Sequence, residues 1–299
     1  MPGRALGTWL VDRTVKQRGP GSAALYALAR RIVTAYENND IHMETNGEAW
    51  LVERLARRGP MVAIDIGANR GEWARYVLAA MPGGQVICYE PAPRTFALLQ
   101  AAVTDPRAVL VNAAASSKAG TLNFNFNLDN DFVSSVVDLS RLHERSRYET
   151  LAVPAVTGDA EMARLGVERV GLLKIDAEGH DLEALAGFEK ALAAGRVDAF
   201  QFEYNAFTRV AGHALDDYFR LVGESHLLCR LLPRGLEASG YHVELDDFRQ
   251  ANWVGVRYGL IDKAFVRDLS IRPARGLGGF MLRKQLADRR DLATMLGLT

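Results

Sequence analysis

The chain has 299 residues, 36 Lys and Arg against 36 Asp and Glu, and 48% apolar residues, a length and texture that suit one generous α/β domain with decorated ends and exclude a disordered or fibrous class. With no net charge there is no global positive field of the kind a general nucleic-acid binder needs. Apolar runs are broken by charge well short of the roughly 20 residues of a membrane span, and 1–18 lacks the unbroken apolar stretch of a secretory leader, so a cytoplasmic protein is expected.

In chain order, 1–58 reads as a helical N-terminal extension, with apolar residues at helical spacing in 23–36 and again in 47–58. From Met61 short apolar runs alternate with helical patterns. Strands are expected at 61–66, 85–89, 108–111, 170–175 and 197–202, and helices at 72–81, 94–103 and 181–194. That alternation is the signature of βαβ units in a doubly wound, mostly parallel sheet. The alternating TLNFNFNL at 121–128 predicts a half-exposed strand outside the parallel set. The polar stretch 129–150 reads as a long loop and a lid. The pattern weakens after Arg257, which divides the chain into an extension (1–58), a central domain (59–257) and an appendage or oligomer contact (258–299). Cys88 and Cys229 have no CxxC or His neighbours, so they are expected to be buried thiols and no zinc site is expected.

The most informative segment is VAIDIGANRG (62–71), an apolar strand that runs through Asp65 into a glycine turn and then a helix. Gly67 and Gly71 let backbone pass close to a ligand. Glu90 ends the next strand 19 residues after Gly71, where an acid can accept both hydroxyls of a ribose. A dinucleotide needs G-x-G-x-x-G to seat its pyrophosphate. Here the glycines stand four apart with Asn69 between them, and Asp65 would repel a pyrophosphate while suiting a cationic ammonium and sulfonium. Spacing and charge favour S-adenosylmethionine. Asn112 follows the third strand, where its amide either bonds an adenine or satisfies its own turn.

KIDAEGH (174–180) ends the fourth strand and places Asp176, Glu178 and His180 at the crevice mouth. Glu203 and Asn205 end the fifth. Methyl transfer to a hydroxyl needs a base in reach of the acceptor proton. The candidates are Asp176, Glu203 and His180, whose free pKa lies near neutrality. Asp176 and Glu178 can equally cap the following helix, and Asp176 with Glu203 and Asn205 can bind a hard cation; base chemistry with no metal is the preferred expectation. Phe132, Tyr148, Tyr204, Phe207 and Arg209 are candidates for the acceptor pocket.

IDIGANRG, YEPAP (89–93), VNAAASSKAGTLNF (111–124), LLKIDAEGHDLEALAGF (172–188) and FEY (202–204) together resemble the FkbM-type methyltransferases. The resemblance covers about 61–257. It implies the class I methyltransferase (Rossmann-like) fold, a seven-stranded sheet whose last strand is antiparallel. It also implies S-adenosylmethionine held by Asp65, Gly67, Asn69, Gly71 and Glu90, and O-methylation of a small-molecule or glycan hydroxyl on a sugar, lipid-linked glycan or natural product. His180 and Asp181 depart from the usual residues of the KIDAEG block. A nicotinamide-dependent oxidoreductase and a catalytically silent partner subunit are the alternatives, and a homo-oligomer is compatible with the tail.

Overall fold

Strands made almost wholly of Val, Ile and Leu need cover on both faces, and the computed structural model, which describes Trp9 and residues 11–298, gives them that. Part of the stretch 1–18 read for a leader lies outside the described residues. In chain order the strands are β1 (Val62–Ile66), β2 (Gln85–Tyr89), β3 (Ala108–Val111), β4 (Ala114–Ala115), β5 (Gly120–Asn127), β6 (Tyr148–Val156), β7 (Leu172–Ile175), β8 (Ala199–Tyr204), β9 (His226–Leu232), β10 (Gly235–Ala238), β11 (Ala251–Arg257) and β12 (Ile271–Pro273).

Nine of them form one sheet in the order β12-β10-β9-β11-β8-β7-β1-β2-β3. From β3 to β8 all neighbours are parallel, and β11 runs antiparallel between β8 and β9. The seven strands implied by the family resemblance are therefore present, and β10 and β12 extend the sheet to nine. The chain winds outward from β1 through β2 to β3, then returns to the other side of β1 as β7. The crevice that such a reversal opens lies outside the carboxyl ends of β1 and β7.

Helix Glu72–Ala80 buries Trp73, Ala74, Val77 and Leu78 against the sheet, and Pro93–Ala102 starts with Pro at its first turn, where a missing N–H costs nothing. The single helix expected at 181–194 is broken into Asp181–Ala186 and Glu189–Ala193. Gly187 sits at the break, where a Cβ would strike the Ser116 carbonyl.

The alternating segment is β5, and it belongs to a separate three-stranded sheet, β4-β6-β5. Strand β6 occupies the end of the expected loop. Its buried Val153 and Ala155 alternate with exposed residues, but Pro154 among them lowers a strand reading.

From Ile41 onward the chain forms one compact unit, and residues up to Asp40 form another, in which helix Ser22–Tyr36 follows the π-helical Val11–Lys16. The compact unit thus takes in residues on both sides of the boundaries expected at 58 and 257. Helix Glu48–Ala56 buries Leu51, Val52 and Leu55. Phe265, Leu282, Leu286, Leu292 and Leu296 from the expected appendage join Leu227, Leu231 and Leu236 in one core cluster. Cys88 and Cys229 are free and buried, and burial raises both thiols.

Candidate active site at the carboxyl edge of the sheet

The turn after β1 crosses directly over the end of β7. Gly67 has φ +78°, and a Cβ there would collide with the backbone carbonyl of Asp176. Gly71, at φ +75°, starts helix Glu72–Ala80, and a Cβ on it would run into Leu99 and Val103. Both glycines thus answer to protein packing, and Gly67 also lines the cleft described below. Asn69, between them, is also left-handed at φ +47°.

That bend turns the Asn69 N–H toward Glu90, whose Oε2 accepts it at 3.0 Å, while Oε1 accepts from the Ala92 N–H at 2.9 Å. Glu90 is buried, and burial pushes its pKa up to about 7 against the pull of those two N–H groups. Asn112 donates to the carbonyls of Glu90 (2.8 Å) and Pro91 (3.0 Å). Both of its amide hydrogens thus hold the Glu90–Pro91 turn.

Along the strand ends runs a row of buried charge. Asp65 on β1 lies opposite Lys174 on β7, which lies opposite Gln201 on β8. Lys174 donates to Asp176 Oδ2 at 2.9 Å but stands 3.9 Å from Asp65, too far for a hydrogen bond. Burial alone would lower Lys174, yet Asp176, Asp65 and Glu48 outweigh it and hold the ammonium above its ordinary range. At Asp65 burial wins over the distant Lys174, raising the carboxyl to about 6, and neither oxygen has a hydrogen-bond partner.

Asp176, Glu178 and Glu203 each bring a carboxylate oxygen within 4.8 Å of the others, a spacing that can also serve an oxygen-bound divalent cation. Glu178 is left-handed at φ +52°. Burial, then the neighbouring Asp176, Glu203 and Asp181, raises its pKa well above the usual carboxylate range. Glu203 accepts from Asn205 Nδ2 at 2.7 Å and from the Gln250 amide. Burial first and Asp176 second push it up to about 8. His180 is buried beside Ser116 Oγ (Nε2···Oγ 3.1 Å), and burial lowers its pKa, so the ring is neutral at pH 7.

A cleft runs along these residues. Gly67, Asn69 and Glu90 line one part of it, Pro91 with Ala113, Ala114 and Ala115 a flat apolar wall, and Asp176, Glu178 and His180 the mouth. Phe132 forms part of the rim, where Arg70 stacks over its ring and bonds Asp131 at 2.8 Å. Asp65 and Lys174 face a second compartment behind the Gly67 turn, with Trp73 and Glu48. Of the other aromatic and basic candidates, Tyr204 is wholly buried, Tyr148 accepts from Asn127 Nδ2 at 3.2 Å, Arg209 stacks over Phe248, and Phe207 packs edge-on to His143. None of these four lines the cleft.

Sequence reasoning passed over Lys174, Trp73, Ser116 and Gln250. Lys174 carried a signal, since a lysine inside the apolar run LLKI must find carboxylates. Gln250 carried none, being brought to Glu203 only by the pairing of β11 with β8.

A mostly parallel, doubly wound sheet with one antiparallel strand inserted beside its last parallel neighbour, and an acidic crevice at the winding reversal, defines the class I methyltransferase fold. The Methyltransferase FkbM domain matches residues 65–230, more than half of the chain, and the chain belongs to that family. It is 30% identical over 155 residues to the methyltransferase sdnD of Sordaria araneosa, covering 42% of this chain and 60% of that one. It is 27% identical over 156 residues to the 31-O-demethyl-FK506 methyltransferase FkbM of Streptomyces tacrolimicus, covering 44% and 60%. To the hexuronic acid methyltransferase AglP of Haloferax volcanii it is 26% identical over 192 residues, covering 62% and 76%. The chain thus spans 60% of the length of the first two of these relatives. A crystal structure of a methyltransferase FkbM from Methylobacillus flagellatus overlaps 66% of this chain and 43% of its own, with TM-score 0.42 and 14% identity. No helix among the described residues is long and apolar enough to cross a membrane.

Proposed function

We propose that the protein is an S-adenosylmethionine-dependent methyltransferase that methylates a hydroxyl oxygen of a sugar, lipid-linked glycan or natural product. The observation that carries this reading is that Glu90, the small apolar wall and the acidic strand ends line one continuous cleft. The residues fit the cofactor: Glu90 lines the cleft as an acceptor for ribose hydroxyls, the alanines leave room for a flat base, and buried Asp65, whose oxygens accept no hydrogen bond, supplies negative charge behind the Gly67 turn. Gly67, Asn69 and Gly71 shape the loop that presents these groups. When bound, the cofactor supplies an electrophilic methyl on a sulfonium.

The chain's own part is to orient the acceptor and take its proton. Asp176 and Glu178 stand at the mouth with Glu203 beside them, and with its pKa pushed up to about 8 Glu203 becomes available as a base only as pH approaches that value. His180 faces the same space as a neutral imidazole able to accept or donate. The name of the relative acting on 31-O-demethyl-FK506 supports an oxygen acceptor, and that of the hexuronic acid methyltransferase supports a sugar one.

Calorimetry with S-adenosylhomocysteine and with NAD, followed by incubation of the chain with methyl-labelled cofactor and a library of hydroxyl compounds, tests the reading. Binding of the first nucleoside alone and a labelled methyl ether are expected. NAD binding without S-adenosylhomocysteine binding would overturn the proposal, and cofactor binding with methylation on nitrogen or carbon would overturn the oxygen assignment.

A further inference from the structure

Helix Ser22–Tyr36 belongs to the smaller compact unit and has no buried side chain. Its large apolar residues are nevertheless ordered. Leu25, Leu28, Ile32 and Tyr36 recur at three- and four-residue spacing, which puts them on one face, and Tyr26, Ala29 and Val33 widen that face to one side. Leu25 is 48% exposed, Ile32 60% and Tyr36 78%, and Trp9 and Val11 ahead of the helix are as open. Single surface hydrophobics need no explanation, but a contiguous stripe along a whole helix is costly in water and marks an interaction surface.

Charge decides what meets that surface. The whole chain is electrically balanced, yet from Trp9 to Tyr36 the charged residues are Arg13, Lys16, Arg18, Arg30 and Arg31 against Asp12 alone. Within the helix there is no acid at all. At about 100° per residue, Arg30 and Arg31 fall on the two sides of the apolar face, where their stems can lie along it while their heads stand clear. The guanidinium of Arg30 stands 6.0 Å from the Tyr26 ring centre and that of Arg13 5.5 Å from Trp9, the mix of cation and aromatic ring that suits the headgroup level of a bilayer.

A second copy of the helix would bring like charges together with no carboxylate of its own to meet them. A nucleic acid would answer the arginines and leave the leucines wet. An anionic lipid surface satisfies both. The 15 residues of the helix reach about 22 Å at 1.5 Å per residue, short of the roughly 30 Å hydrocarbon layer, so the helix lies in the plane of such a surface and does not cross it.

We propose that helix Ser22–Tyr36 is a membrane-surface anchor that seats its Leu25, Leu28, Ile32 and Tyr36 face in a bilayer containing anionic phospholipid, with Arg30 and Arg31 at the phosphates. The inference stands apart from the methyltransferase reading and holds whatever the cleft binds.

Sedimentation of the full-length chain with vesicles of phosphatidylcholine, with and without phosphatidylglycerol, tests it. The parent should pellet with the anionic vesicles, and less so as salt rises. Leu28→Gln with Ile32→Gln should weaken that binding by about tenfold or more, as losing two buried side chains of this size requires. Arg30→Gln with Arg31→Gln should weaken it by about tenfold on the anionic vesicles alone. Both variants should keep the parent's melting temperature and its lipid-free sedimentation coefficient, since none of the changed residues is buried. A parent that ignores anionic vesicles overturns the assignment. So does a lower melting temperature in Leu28→Gln with Ile32→Gln, which would show that the face covers protein, and so does a parent dimer that this variant dissociates, which would show that it covers a second copy.

Discussion

Two parts of the same sheet are equally dry and chemically opposite. In β9 and β10, Leu227, Leu228, Cys229, Leu231, Leu236 and Ala238 are all fully buried and wholly apolar in their contacts. At the tips of β1, β7 and β8 the buried side chains are Asp65, Lys174 and Gln201, and several of their polar atoms have no partner. The first region gains stability with every Å² it hides; the second loses some, because desolvating a carboxylate favours its neutral form. Among the described residues the side chains of β9 and β10 leave no buried polar atom bare, whereas those at the tips of β1 and β8 do.

The largest expected break in that comparison is catalytic. Asp176→Asn and Glu203→Gln should each bind S-adenosylhomocysteine as the parent does, yet at least one should lose about 10²- to 10⁴-fold in single-turnover methyl transfer, the usual worth of a general base. His180→Ala belongs in the same series, and an EDTA control separates base from metal-ligand roles. Near-parental rates in all three variants would remove the acidic strand tips from the chemistry.

Next in size comes the apolar half. Leu231→Ala on β9 should cost about 2–5 kcal/mol in denaturant unfolding, as buried leucine truncations do, with cofactor affinity untouched in the folded fraction. A matching loss of affinity would show that the two regions are one.

Smaller again is Glu90→Ala, expected to cost about 1–3 kcal/mol of S-adenosylhomocysteine affinity by calorimetry. Because Glu90 accepts the Asn69 and Ala92 N–H groups, the variant should also melt somewhat lower than the parent while staying folded. Normal affinity would place the ribose elsewhere.

The subtlest expectation concerns pH. Asp65 (about 6), Glu90 (about 7), Asp181 (about 7) and Glu203 (about 8) all have carboxyls raised by burial. These four acids make the folded chain bind more protons than the unfolded one and lower stability as pH rises through roughly 4 to 8, outweighing buried His226, which is held down to about 4 and acts the other way below its ordinary pKa of 6.5. Melting temperatures of the ligand-free chain should drop from pH 5 to pH 8.5. Glu203→Gln should flatten the upper part of the slope, and a melting temperature that rises over this range would contradict the burial of these acids.

Much of the sheet was readable because its strands are so uniform. Gln85–Tyr89 and Ala108–Val111 stand where the apolar runs put them, and β1 differs from its expectation by one residue. Strand β6 was hidden by Pro154 and by the polar start of its own sequence. The tail after Arg257 looked peripheral because each of its helices carries only a few apolar residues, and their common burial emerges only when Phe265, Leu282 and Leu292 meet the same core. At the site, the residue types at the strand ends were visible, but the reasons for them were partly not. Gly67 and Gly71 read as ligand clearance, and the structure adds that a Cβ there would also meet the Asp176 carbonyl and the Leu99 and Val103 side chains. A sequence shows that a Cβ is forbidden without showing what forbids it.

The outer margin of the large sheet has a consequence for crowded solutions. Strand β12 is three residues long and ends in Pro273 opposite Ala238. A strand so short, with a residue that has no N–H to offer, gives an incoming chain almost no ladder to extend. At high concentration this border should resist edge-to-edge stacking, and replacing Pro273 by Val would turn it into a better template for fibril-like assembly.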